Sequence, residues 1–159
     1  MILLSYDGQS LVRIDMQTTH YHVEAGHNLG SYHGRPFVTG GCANPPGSEY
    51  DCHAHTEILD AEEGWQEYED YPYSDNIRWS AFISYSDMVF AFAGFTQSDI
   101  ETTVAAFAND SWSRIGDLKR SAKKHNVIQI GNEVLIIGGK ETDSINHRWY
   151  MLFNSSYFY

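Results

Sequence analysis

Phe37-Val-Thr-Gly-Gly41, Phe90-Ala-Phe-Ala-Gly94 and Leu135-Ile-Ile-Gly-Gly139 are three versions of one pattern, with last glycines 53 and 45 residues apart. Seven residues before each last glycine stands a turn residue: Gly34, Asp87 and Asn132. Twelve residues before it stands an apolar one: Leu29, Phe82 and Val127. Trp112 follows Gly94 by 18 residues, and Tyr157 follows Gly139 by the same offset. Trp65 follows Gly41 by 24, across a longer loop. A repeat of about 50 residues predicts units that cannot bury both of their faces alone and must stack on neighbours.

Each unit reads as short strands. Val127-Ile-Gln-Ile130 and Val134-Leu-Ile-Ile137 flank Gly131-Asn-Glu133, the signature of a hairpin. Ala81 to Tyr85 and Met88 to Phe92 repeat it around Ser86-Asp87, and His33-Gly34 marks the same turn in the first unit. Third strands are expected at 55–59, 102–107 and 147–152, and fourth strands at 65–68 and 112–115. The second strand of each unit is the most apolar and is expected innermost. Its glycines are expected to close that strand and leave room for a neighbouring side chain. Val12 occupies the tryptophan slot of a unit that begins part-way through. The predicted fold is all-β, with antiparallel four-stranded blades in an open arc of two complete and two incomplete blades. Their expected limits are 1–25, 26–77, 78–119 and 120–159.

The composition suits one ordinary domain of 159 residues, 42% of them apolar and 14% aromatic. A formal charge of -11 opposes binding to nucleic acid. No apolar run reaches the ~20 residues of a spanning helix, and no secretory leader is expected at Met1-Ile-Leu-Leu4. A cytoplasmic protein is expected on these grounds. Cys42 and Cys52 are expected as reduced thiols beside a loop; a disulfide between them would instead place the chain in an oxidising, extracellular compartment.

The repeats resemble those of the kelch β-propeller family, on the doublets Gly40-Gly41 and Gly138-Gly139, the degenerate Ala93-Gly94, and the later Trp65 and Trp112. Tyr6-Asp7 and Leu59-Asp60 match the family's Tyr-Asp element, and Arg78 and Arg120 its arginine before the first strand. The resemblance implies a propeller whose loops bind a protein partner, with no catalysis and no cofactor. Its alternatives are a truncated or remnant propeller without independent function, or part of a kelch-type oxidase or other enzyme.

No catalytic signature stands out. His53 and His55 share one strand face near Cys42 and Cys52, but the cysteines lack the close spacing of a zinc pair. The acids from Glu57 to Asp75 lack a calcium-loop pattern. Gly138-Gly-Lys140 lacks the helix of a phosphate loop. The expected binding surface is the loop from Cys42 to His53, with Tyr50 as anchor beside Glu49 and Asp51, facing a partner with a basic surface. Exposed blade faces at either end of the arc are expected to promote self-association.

Overall fold

The computed structural model describes residues 2–6, 8, 11–15, 26–43, 51–74, 76–96, 99–131, 133–142, 145–146 and 150–154. Every regular element among them is a strand. β1 (Ile2–Tyr6) and β2 (Leu11–Asp15) form a two-stranded antiparallel sheet. β3 (Asn28–Tyr32), β4 (Arg35–Ala43), β5 (Asp51–Asp60) and β6 (Gly64–Tyr68) follow as a meander in chain order. β7 (Ala81–Tyr85), β8 (Met88–Phe95), β9 (Ile100–Ala108) and β10 (Ser111–Asp117) repeat it. In the last sheet β11 (Lys123–Ile130) pairs with β12 (Glu133–Thr142), whose other edge carries both β13 (Ile145–Asn146) and β14 (Tyr150–Asn154). The chain is therefore all-β, a set of antiparallel sheets arranged as an incomplete, open propeller-like repeat.

Turn chemistry explains the hairpins. His33 and Gly34 both have positive φ, as do Asn109 and Asp110 between β9 and β10. Two such residues in succession match the right-handed twist of the flanking strands.

The expected inner strand needs correction. The first strands contact one another across the sheets, β3 against β7 and β7 against β11, so they and not the glycine-bearing second strands line the axis. β4 and β8 are interior strands of their sheets, and β8 is buried on both faces because the first and third sheets pack against it from either side. Their glycines do not close them either. The register shifts between Thr39 and Gly41 in β4 and between Phe92 and Gly94 in β8, and each strand then runs on. The doublet is a bulge, and it receives the linker to the next sheet. Gly41 N–H donates to the Ile77 carbonyl at 2.9 Å, and Gly94 N–H to the Ala122 carbonyl at 2.9 Å. A Cβ on Gly40 would collide with that same Ile77 carbonyl oxygen, so the close neighbour is backbone.

Two apolar clusters join the three larger sheets. The first gathers Tyr32, Phe37, Ile58, Tyr71, Phe107 and Trp112. The second gathers Phe90, Phe92, Val104, Leu118, Val134 and Ile136. Trp112, on β10, reaches the first cluster, and its indole N–H donates to Thr56 Oγ1 at 3.1 Å. Trp65 is buried as well, outside both clusters. The reduced-thiol expectation is overturned: Cys42 and Cys52 are cross-strand partners in β4 and β5 and form a disulfide.

Candidate functional site

The heads of the three first strands converge on a cleft of about 240 Å³. His27, Asn28, Ser80, Phe82, His125 and Asn126 are among the residues that line it. The repeat explains the convergence. His27, Ser80 and His125 each precede the last glycine of their unit by 14 residues, and Asn28 and Asn126 follow at equivalent places in the first and third. Equivalent positions in radially stacked sheets fall around one axis.

Two of these side chains are buried with polar atoms unmatched. Asn28 is 3% exposed; its Nδ2 donates to the Thr39 carbonyl at 3.2 Å, while Oδ1 has no partner among the described residues. His125 is 5% exposed, and neither ring nitrogen has a partner among them. Burial pushes its pKa down to about 4, and an interaction with the Phe92 backbone carbonyl offsets this only in part. The imidazole is thus neutral at pH 7, one nitrogen a donor and the other an acceptor. An orphaned buried polar atom costs ~1–3 kcal/mol, which a ligand supplying the missing partner would recover. Gly139 leaves room for His125, because a Cβ there would come to 2.9 Å from the His125 Cβ. Ser80 is already committed, its Oγ donating to the Ala93 carbonyl at 2.6 Å.

The residues expected to bind a partner lie elsewhere. Tyr50 and Glu49 fall outside the described residues, as does Tyr157; Asp51 is exposed at the start of β5. Gly40, Gly41 and Gly94 lie at the bulges of β4 and β8, and Gly138 and Gly139 lie within β12, all with positive φ. For metal, the disulfide removes Cys42 and Cys52 as thiolate ligands. His55 Nδ1 instead meets the Asp70 carboxylate at 3.1 Å, and no group of three ligating side chains gathers among the described residues. The sequence reading passed over His125 and Asn28. The signal was present in the recurrence of His27-Asn-Leu29 as His125-Asn-Val127, in step with the glycine doublets.

Comparison with known proteins bears on the fold. No family model matches the chain, and no curated protein does. Among solved structures, one described as "Structure of YjhT" superposes with a TM-score of 0.77 at 15% identity, covering 96% of this chain and 49% of that one. The chain thus spans about half the length of that protein. A likeness at this identity establishes shared architecture alone. The kelch assignment is corrected: the architecture is matched by YjhT, and no family model, kelch-type or other, matches the sequence. The protein-binding scaffold without catalysis, which that assignment implied, is withdrawn with it. No helix among the described residues is long and apolar enough to cross a membrane.

Proposed function

We propose that this chain supplies one side of the active cleft of a propeller enzyme acting on a small, uncharged, polar substrate. One observation carries the reading: Asn28 and His125, from different sheets, both line a single axial cleft, and both carry buried polar atoms without a partner among the described residues. The cleft's size suits a ligand smaller than those of the roughly 300–1,000 Å³ pockets usual for small molecules. The neutral imidazole suits a substrate without formal charge. It can accept a hydrogen bond at one nitrogen and donate one from the other, to a hydroxyl or carbonyl. His27, at the exposed rim, is placed to meet the same ligand. The fold likeness to a chain of twice this length is compatible with further sheets around the axis. The disulfide supports an oxidising compartment, and the apolar outer face of the last sheet supports self-association.

The test is a nuclear magnetic resonance titration of imidazole-labelled protein against neutral cyclic polyols, sugars and small carbonyl compounds, with turnover followed in the same tube. Saturable shifts of the His125 ring, lost in Asn28→Leu, are expected for at least one compound class. Absence of any saturable shift would sink the reading and leave a propeller remnant without a ligand.

A further inference from the structure

Beyond the axial cleft, the Cys42–Cys52 disulfide has an uncommon neighbour. Arg78 precedes the second sheet, and its Nη1 donates to Cys52 Sγ at 2.9 Å and to Cys42 Sγ at 3.1 Å. The guanidinium is fixed there by two rings. Its carbon lies 4.8 Å from the centroid of Phe95 and 5.0 Å from that of Trp79, and those rings stack on one another at 5.6 Å. Behind them stand two more cations, Lys123 at 4.1 Å from Phe95 and Lys124 at 4.1 Å from Trp79. Disulfide sulfur is a poor acceptor, whereas a thiolate is a strong one. A guanidinium clamped against both sulfurs therefore stabilises the reduced pair far more than the oxidised one. A lowered thiol pKa makes the better leaving group, and stabilisation of the reduced form raises the reduction potential.

The two sulfurs also differ in access. Cys42 is 2% exposed, while Cys52 is only half-buried at the start of β5. We propose that Cys42–Cys52 is a thiol–disulfide exchange site for dithiol reductants, attacked at Cys52, with Arg78 holding the departing Cys42 thiolate.

The step balances without any further reagent. A thiolate of the dithiol attacks Cys52 Sγ, the Sγ–Sγ bond breaks, and its electron pair passes to Cys42 Sγ beside Arg78. The second thiol of the reductant, losing its proton to solvent, then attacks its own sulfur in the mixed disulfide. That closes a cyclic disulfide and releases Cys52 as a thiolate, which takes up a proton. Two electrons have moved from the dithiol to the protein. Asp51 and His53 flank Cys52 on β5, Asp51 exposed and His53 with its pKa lowered mainly by burial, so Arg78 is the fixed positive charge at the sulfurs.

Equilibration of the protein with reduced and oxidised dithiothreitol, followed by acid quench, alkylation and mass spectrometry, tests this. Arg78→Met keeps an unbranched stem beside the rings and removes the charge. It should require at least a tenfold higher ratio of dithiol to disulfide for half-reduction, a shift of about 30 mV for this two-electron couple. A ratio within twofold of the wild type would overturn the proposal. Trapping with glutathione should place the mixed disulfide on Cys52, and its appearance on Cys42 would also overturn it. Should Arg78→Met fail to fold, alkylation of the reduced wild-type protein against pH decides. Cys42 is expected to react with a midpoint at least about one unit below the 8.5 of a free thiol, and a midpoint near 8.5 refutes the role of Arg78.

Discussion

The second sheet buries both of its faces, and the two interfaces it makes are built differently. Alternate residues of β8 divide between them: Val89 and Ala91 face the first sheet, Phe90 and Phe92 the third. β9 inverts the sizes, with Phe107 on the first side and Val104 and Ala106 on the third. The first interface is therefore an aromatic nest. Phe107, Phe37 and Tyr71 each approach Trp112 edge-on or tilted, at 5.3, 6.0 and 5.1 Å between centroids. A polar thread runs through it, from the Trp112 indole to Thr56 and on to Thr39 at 3.0 Å. The second interface is aliphatic on the third sheet's side, with Val134 and Ile136 against Phe90, Phe92, Val104 and the separate alanines Ala93, Ala106 and Ala122. The same sheet architecture thus tolerates two core chemistries, provided large residues on one strand face small ones on the next. The aromatic side concentrates its stability in one residue, and the aliphatic side spreads it.

The largest effect should come from removing that residue. Trp112→Ala deletes an indole from the centre of the nest and removes one of the two hydrogen bonds of the Thr56 hydroxyl, so a loss of about 3–5 kcal/mol is expected. Ile136→Val at the aliphatic interface should lose only about 0.5–1.5 kcal/mol. Chemical denaturation with tryptophan-independent detection, such as far-ultraviolet circular dichroism, gives both numbers. Equal losses would erase the contrast between the interfaces.

The third sheet's contact carries a second, pH-dependent difference. His125 lies at the head of β11, and its folded pKa of about 4 is below the ~6.5 of an unfolded histidine. Between those values the unfolded chain binds the proton and the folded one does not. The stability associated with neutral His125 is therefore fully present above pH 6.5 and is lost as pH falls through 4. The shift corresponds to about 3 kcal/mol as an upper bound. Urea denaturation at pH 7 and pH 4 should show this loss in the wild type, and His125→Gln should reduce it by most of that amount. An identical pH dependence in both proteins would remove His125 from the account.

The spacing of the glycine patterns made the repeat legible. So were the hairpins at His33-Gly34 and Ser86-Asp87, because backbone requirements at a turn restrict the residues allowed there. Which strand of a sheet lines the axis was not legible. β8 reads as Met-Val-Phe-Ala-Phe with no alternation, and burial on both faces follows equally from an axial place or from a place between two neighbours. Only the β3–β7 and β7–β11 contacts separate these alternatives. The disulfide was hidden for a related reason. Cys42 and Cys52 become direct cross-strand partners only through the register of β4 on β5, which the bulge at Gly40-Gly41 sets. The cleft fell between these cases. The His-Asn pair recurs in phase with the glycines, but histidine and asparagine have many roles in loops. The pair gains meaning once the first strands are known to line the axis.

The smallest effect is expected on the far side of the third sheet. Ile128, Ile130 and Ile137 share that face, at 50%, 54% and 38% exposure, while Val134 and Ile136 on the opposite face are almost fully buried. β11 alternates between the two environments, with Lys123, His125 and Val127 on the covered face and Ile128 and Ile130 on the open one. An isoleucine that exposes half its surface in the folded state gains little on folding. Ile130→Ser should therefore change stability by no more than about 0.5 kcal/mol, in contrast to a change at Ile136 across the same sheet. The measurement has a second readout. If these side chains contact another sheet in solution, Ile130→Ser would weaken self-association in sedimentation while barely moving the unfolding midpoint of the dilute protein. A loss above ~1 kcal/mol at low protein concentration would mean that this face is covered within the monomer, and the comparison between a buried and an open side of the third sheet would fail.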